Sequence, residues 1–105
     1  MASARLLILL ALLSGCQAQA DVPSRDVEAR AGAGDTRLIV RAGRGQVAPG
    51  IPAEQQAEAK ARCGIRYLDG LGDVIRPEER EQHERLSAYA SEYNRLMLSH
   101  CPPSR

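Results

Sequence analysis

The sequence has neither tryptophan nor phenylalanine, and three tyrosines make up its whole 3% aromatic content over 105 residues. Because large apolar side chains supply most of the buried area of a core, this scarcity limits the core to a small one. Small domains bury a lower share of their surface than large ones and commonly need a covalent staple. The composition therefore predicts one small domain and leaves no room for a second.

The sequence also lacks an excess of charge of either sign. Its 14 Lys and Arg residues face 13 Asp and Glu residues, and Lys60 is the only lysine. Removal of an N-terminal leader containing Arg5 leaves 13 residues of each sign, a formal net charge of zero. A nucleic-acid-binding domain usually carries a basic patch or a clear basic excess, so nucleic acid is not expected as a partner.

No apolar run is long enough to cross a membrane. The longest, residues 6–13, has 8 residues, whereas a transmembrane helix needs about 20. Arg5 precedes the run and small residues follow it, a pattern typical of a cleaved secretion signal. We therefore predict a signal peptide over residues 1–15. A buried core helix of a cytosolic protein would not explain the abrupt change to polar residues.

The end of this leader carries a specific motif. Leu13, Ser14 and Gly15 precede Cys16, and the four residues resemble the lipobox of bacterial lipoproteins. The resemblance covers only the leader, and it implies a diacylglycerol on the Cys16 sulfur, cleavage before Cys16 and acylation of the new amine. Several acyl chains anchor durably, since each buried CH₂ contributes roughly 0.8 kcal/mol. Gln17 after the cysteine implies, by the same resemblance, sorting to the bacterial outer membrane.

A second cleavage site leaves another destination open. Ala18, Gln19 and Ala20 form an A-x-A pattern, which ordinary signal peptidase recognises. Cleavage before Asp21 would release a soluble periplasmic or secreted protein without the lipid.

Residues 16–50 have the composition of a flexible tether. They contain five of the nine glycines, together with prolines, alanines and spaced charges, and such segments usually remain extended and mobile. One β-prone island, residues 36–41, interrupts them. Because it has no obvious partner strand, we expect a short edge strand or a docking element there.

Residues 51–105 predict a small helical domain. Pro52 fits a first helical position and Gly64 a stop, which predicts a helix over 52–63. Pro77 begins a second helix that runs to about residue 100, before Pro102 and Pro103. The apolar residues 65–75 between them are expected to form a connector. The predicted fold class is mainly α: a small two-helix module with a disulfide staple, preceded by a flexible tether.

Cys63 and Cys101 are the two cysteines that remain beyond Cys16, and in an oxidising compartment they predict a disulfide. Closing a loop of about 38 residues stabilises by about 4 kcal/mol in the chain-entropy model. The bridge requires the two helix ends to meet, so the connector must run back along the second helix. A tight helical hairpin would keep the cysteines apart, and the two arrangements exclude each other.

Motifs for catalysis are lacking, and we predict no catalytic residue, no metal site and no cofactor. Glu79 and His83 are spaced to share a metal ion, but two ligands do not make a closed site. His100 beside Cys101 would support thiol chemistry only if the disulfide were absent or labile.

The apolar face of the second helix is the remaining candidate for function. Leu86, Tyr89, Tyr93 and Met97 share this face, as a candidate interface or as the core itself. The sequence therefore predicts a lipid-anchored envelope lipoprotein that acts as a non-catalytic interaction or accessory module, with an envelope protein as partner. Two alternatives remain: a phage or prophage lysis lipoprotein of the outer-membrane spanin type, and a thiol-active or metal-binding envelope protein.

Overall fold

Helices and strands alternate along the chain. The computed structural model describes residues 22–103, in which α1 (22–32) is followed by β1 (Leu38–Ala42), α2 (Gln56–Cys63), β2 (Ile65–Gly72) and α3 (Arg80–Met97). β1 and β2 pair in parallel, with α2 as the crossover between them. Because parallel strands cannot be joined by a tight turn, this helical crossover is what allows consecutive strands to pair in this direction.

The register of the sheet is regular over its first half. Leu38 lies opposite Ile65 and Val40 opposite Tyr67, and an irregularity follows Val40, where β2 has additional residues. Leu38 also donates its backbone N–H to the Gly64 carbonyl at 2.8 Å. The first half of β2 therefore pairs with β1 along one edge, and its other edge lies on the side away from β1.

The predicted fold class, a mainly α module of two helices, is wrong, because the parallel sheet makes the fold mixed α/β. Asp69-Gly70 and Gly72-Asp73 are loop-like dipeptides, and they concealed β2 within the predicted connector. In the structure Gly70 adopts a φ of 87° inside β2, which glycine tolerates, and Leu71 beyond it is only 2% exposed.

The predicted tether over residues 16–50 is also wrong for residues 22–50, while residues 16–21 lie outside the described range. Residues 22–32 form α1 and residues 38–42 form β1. Val27 of α1 and Leu38, Ile39 and Val40 of β1 are at most 2% exposed. This part of the chain therefore contributes residues to the hydrophobic core and is not a flexible tether.

Both predicted helices are present. α2 follows a 3-10 turn at Ala53–Gln55 and ends at Cys63, where Gly64 has a φ of 85°. α3 lies between 3-10 turns at Pro77–Glu79 and Leu98–His100. Between residues 22 and 103, no helix combines the length and apolar character needed to span a membrane.

α3 crosses the sheet against the direction of the strands. The His83 side chain lies at hydrogen-bond distance from the Gly72 carbonyl, at the end of β2, whereas Asn94 contacts Ile39 near the start of β1. Leu38, Ile39 and Val40 are consecutive and fully buried, so both faces of β1 are covered. β1 is thus buried on both faces, whereas β2 is partly exposed.

Candidate interaction edge on the second strand

The outer edge of β1 is closed by a side chain. Alternate residues of a strand direct their N–H and C=O groups to opposite sides, and Ile39 directs its pair away from β2. Asn94 Oδ1 accepts the Ile39 N–H at 2.7 Å, and Asn94 Nδ2 donates to the Ile39 carbonyl at 2.8 Å. The amide of Asn94 therefore takes the place of a neighbouring strand.

The loop between β1 and α2 covers the next part of this edge. Arg41, the next outward-facing residue of β1, donates its N–H to the Val47 carbonyl at 2.9 Å. Gln56 holds the same loop, because its amide bonds both main-chain groups of Ala48, at 2.9 and 2.8 Å, and the Ile51 carbonyl at 2.8 Å. A second carbonyl bond from Asn94, to Pro49 at 2.9 Å, ties the loop to α3.

The outer edge of β2 is open. In the register of the sheet, the main-chain groups of Gly64 and Arg66 face β1. The alternate residues Ile65, Tyr67 and Asp69 therefore direct their main-chain groups outward, away from β1. Among residues 22–103, no hydrogen bond from another segment reaches these outward groups. An unpaired strand edge is a template for another strand.

Apolar side chains are exposed beside this edge. Tyr67 is 54% exposed, Val74 89% and Ile75 45%. Tyr67 is held by Gln46, whose side-chain amide donates to the tyrosine hydroxyl. Exposed apolar residues grouped at one place usually mark an interaction surface, and here Tyr67 and Val74 line one groove beside an unpaired strand.

A shallow groove of about 360 Å³, open to solvent, lies beside the second half of β2 and extends to Ala42 of β1. Its lining includes Tyr67, Leu68 and Gly70 of β2, together with Val74 and the carboxylates of Asp69 and Glu79. No basic side chain lines it. The groove therefore favours an occupant that combines apolar groups with positive charge. We call the outward groups of residues 65–69 and this groove the β2 edge.

Arg66 lies behind the β2 edge, on the face covered by α3. Its guanidinium is stacked over the Tyr93 ring, 5.0 Å from the ring centre. Its Nε and the hydroxyl of Tyr93 are buried without a hydrogen-bond partner in the described range. A cation–π contact of this kind fixes the guanidinium close to the sheet.

The α1 end of the molecule is held by ionic contacts. Arg37 Nε pairs with Asp35 Oδ1 at 2.9 Å, and Arg30 with Asp35 Oδ2 at 3.0 Å. The hydrogen bond from Arg37 holds the pKa of Asp35 well below its ordinary value, with a further contribution from Arg30. Asp26 of α1 accepts a hydrogen bond from the Tyr89 hydroxyl. Burial of Tyr89 is the larger cause that raises its pKa, and this hydrogen bond is the second.

The two predicted bridge cysteines are paired. The sulfurs of Cys63 and Cys101 lie 2.09 Å apart and their Cα atoms 5.1 Å apart. Cys63 is the last residue of α2 and Cys101 follows α3, so the ends of the two helices meet. The segment that joins α2 to α3 runs back along α3, as the bridge requires, but it does so as the strand β2.

The other predicted site residues are placed differently. Tyr93 and Met97 are completely buried, and Leu86 and Tyr89 are partly buried against the core. This face of α3 forms the core and is not available to a partner. Cys16, the predicted lipidation site, lies outside the described residues.

The described residues offer no cluster for metal chemistry. Between residues 22 and 103, no group of three or more His, Cys, Asp or Glu side chains is placed to hold a metal ion. Glu79 lines the groove, whereas His83 is buried and at hydrogen-bond distance from the Gly72 carbonyl. The two side chains therefore have separate surroundings.

Comparison with known proteins adds no assignment. The chain matches no family model, no curated protein and no solved structure.

Sequence reasoning missed this edge because it missed β2. One signal was present: Ile65, Tyr67 and Leu68 are strand-forming residues directly after a glycine stop. The strand-like pattern covers only the five residues before Gly70, and so short a pattern favours a connector over a strand. Exposure of Tyr67 depends on tertiary packing and has no local signature.

Proposed function

We propose that this protein is an exported, lipid-anchored adaptor without catalytic activity, which binds another protein chain through the β2 edge. The observation that carries the proposal is the unpaired main chain of residues 65–69 beside the exposed Tyr67 and Val74. In strand addition, main-chain hydrogen bonds supply affinity and side-chain pockets supply specificity. The β2 edge offers both elements.

Two features support the exported, anchored state. The motif ending at Cys16 resembles a lipobox, and the pairing of Cys63 with Cys101 is typical of an oxidising compartment. Lipid on Cys16 would place the domain on a membrane surface, which we propose to be the bacterial outer membrane.

The anchor is tested by the intact mass of the protein extracted from its native membrane, with and without reductant. We expect a chain that begins at acylated Cys16 and gains two hydrogens on reduction. A chain that begins at Asp21 would replace the anchored form by a soluble one, and an unchanged mass on reduction would contradict the bridge.

The binding surface is tested by a photo-crosslinking amino acid placed at Val74, with the same residue at Arg44 as the control. Both side chains are exposed, but only Val74 lines the groove. We expect a crosslinked protein chain at Val74 and none at Arg44. Equal crosslinking at the two positions, or none at either, would contradict binding at the β2 edge.

A further inference from the structure

Few residues separate the proposed lipid anchor from the folded domain. The predicted tether extended to residue 50, but α1 already occupies residues 22–32, so only the five residues 17–21 lie between Cys16 and α1. We call residues 17–21 the linker. We infer that the linker holds the first turn of α1 in the headgroup layer of the membrane that receives the lipid. The inference rests on the proposed function and adds where the domain lies relative to the bilayer.

α1 belongs to the folded domain from its first turn. Pro23 is buried, and Val27 is 2% exposed in the hydrophobic core. Asp26 accepts a hydrogen bond from the Tyr89 hydroxyl of α3. Because these contacts begin at the second described residue, α1 cannot extend the linker without losing its packing against the core.

The reach of the linker follows from its length. Six Cα–Cα steps join Cys16 to Val22, and they span at most about 22 Å when fully extended. As a flexible chain they span about 13 Å on average, whereas a flexible tether to residue 50 would span about 30 Å. Acyl chains place Cys16 at the boundary between hydrocarbon and headgroups.

The headgroup layer takes up most of this reach. It is about 5–8 Å thick on each side of a bilayer. The linker therefore leaves about 5–8 Å between the outer surface of the headgroups and Val22, which is no more than a Debye length at physiological ionic strength. The domain thus cannot move clear of the membrane surface without stretching the linker.

The side chains on the first turn of α1 suit this layer. Val22 is apolar and 44% exposed, and Arg25, three residues later on the same side of the helix, is also exposed. An arginine can pair with a lipid phosphate while its aliphatic stem contacts apolar groups. Glu28 lies a further turn from the anchor, so the contact is confined to the first turn.

This position confines the domain to one membrane surface. Even a fully extended linker raises α1 by only about 22 Å above the anchor. A chain that binds the β2 edge therefore has to be present at that surface.

The test is fluorescence quenching by labelled lipids. The full-length chain with its native lipid is placed in vesicles of phosphatidylethanolamine and phosphatidylglycerol that contain a lipid with a nitroxide on its headgroup. A fluorophore is attached through Val22→Cys. Because Cys16 carries the lipid and Cys63 is paired with Cys101, the introduced cysteine is the thiol that remains for labelling.

The matched control carries the same label and an insertion of about twenty Gly and Ser residues between Ala20 and Asp21, which raises the average reach to about 28 Å. We expect quenching at least about threefold stronger with the native linker than with the insertion. Equal quenching in the two chains, or no quenching with the native linker, would overturn the inference. Circular dichroism of both chains checks that the insertion leaves the domain folded.

Flotation of the vesicles separates this inference from the proposed function. A chain that does not float with the vesicles lacks the anchor, which would overturn the anchored state and the inference together. A chain that floats while its Val22→Cys label is not quenched would overturn the inference alone.

Discussion

Asn94 bonds both main-chain groups of Ile39, 55 residues earlier in the chain, at 2.7 Å to its nitrogen and 2.8 Å to its oxygen. A third bond reaches the Pro49 carbonyl at 2.9 Å, and the Asn94 side chain is completely buried. One amide thus satisfies three main-chain groups that have no access to water.

Replacement of Asn94 by alanine should therefore destabilise the protein strongly. Each buried polar group left without a partner costs about 1–3 kcal/mol, so we expect a loss of about 3 kcal/mol or more. Urea unfolding followed by circular dichroism measures the change. Ser99→Ala is the control, because it removes one exposed bond to Leu96 and should shift stability by less than about 0.5 kcal/mol. Similar losses in both variants would contradict this role of Asn94.

Gln56 should order the loop that follows β1. Gln56→Ala removes the bonds to Ala48 and Ile51, so we expect faster hydrogen exchange of the Ala48 amide and a smaller change within β2. Exchange measured by NMR or mass spectrometry distinguishes the two segments. Gln55→Ala, at the exposed neighbouring position, should leave the exchange of Ala48 unchanged.

Gly50 should not tolerate a side chain. It has a φ of 82°, and a Cβ atom built on it would lie 2.3 Å from the Ser91 carbonyl oxygen. Gly50→Ala should therefore lower stability by at least about 2 kcal/mol through strain and displacement of α3. Gly32→Ala, where a Cβ meets nothing within 4 Å, should be neutral or slightly stabilising. Thermal unfolding of the pair would test this difference in sign.

Loss of the bridge should destabilise the domain by about 4 kcal/mol, because the reduced chain regains the loop entropy of the unfolded state. The double replacement of Cys63 and Cys101 by alanine tests this without reductant, and unfolding in urea measures it. A double variant as stable as the parent would show that packing alone holds the ends of α2 and α3 together.

The ionic contacts of Asp35 should give an acid-dependent contribution to stability. Its pKa is lowered in the folded state from an ordinary value of 3.8, so the folded state binds the proton less readily than the unfolded state. The contribution is complete above that value and is lost as the pH falls below it. The difference in urea midpoint between the parent and Asp35→Asn should therefore shrink from about pH 6 to about pH 2. Asp69→Asn, an exposed carboxylate without a described ion pair, serves as the control.

The features of the fold that the sequence predicts correctly are the helix ends and the disulfide, which follow from the positions of proline, glycine and cysteine. Pro52, Gly64 and Pro77 mark helix ends through local backbone restrictions, and those restrictions act in any context. The pairing of Cys63 with Cys101 followed from the number of cysteines that remain. These features need no knowledge of distant contacts.

The missed features all depend on contacts between distant segments. The glycine-rich loop after β1 has tether composition, yet Gln56 and Asn94 hold its main chain from other elements. The β-prone island was recognised, but its partner begins at Ile65 and is interrupted by Gly70. Parallel pairing has no hairpin signal to reveal it, so neither the sheet nor its open edge could be derived from local patterns.

The bridge between Cys63 and Cys101 also determines how the protein would respond to mechanical load. It closes a covalent ring that contains β2 and α3, while α1 and β1 lie outside the ring on its N-terminal side. A pull between the N-terminal and C-terminal ends would act on α1, β1 and α2, which all precede or end at Cys63, and the bridge would carry the load past the ring without extending it. The surface proposed to hold a second chain would therefore be the last part of the molecule to yield.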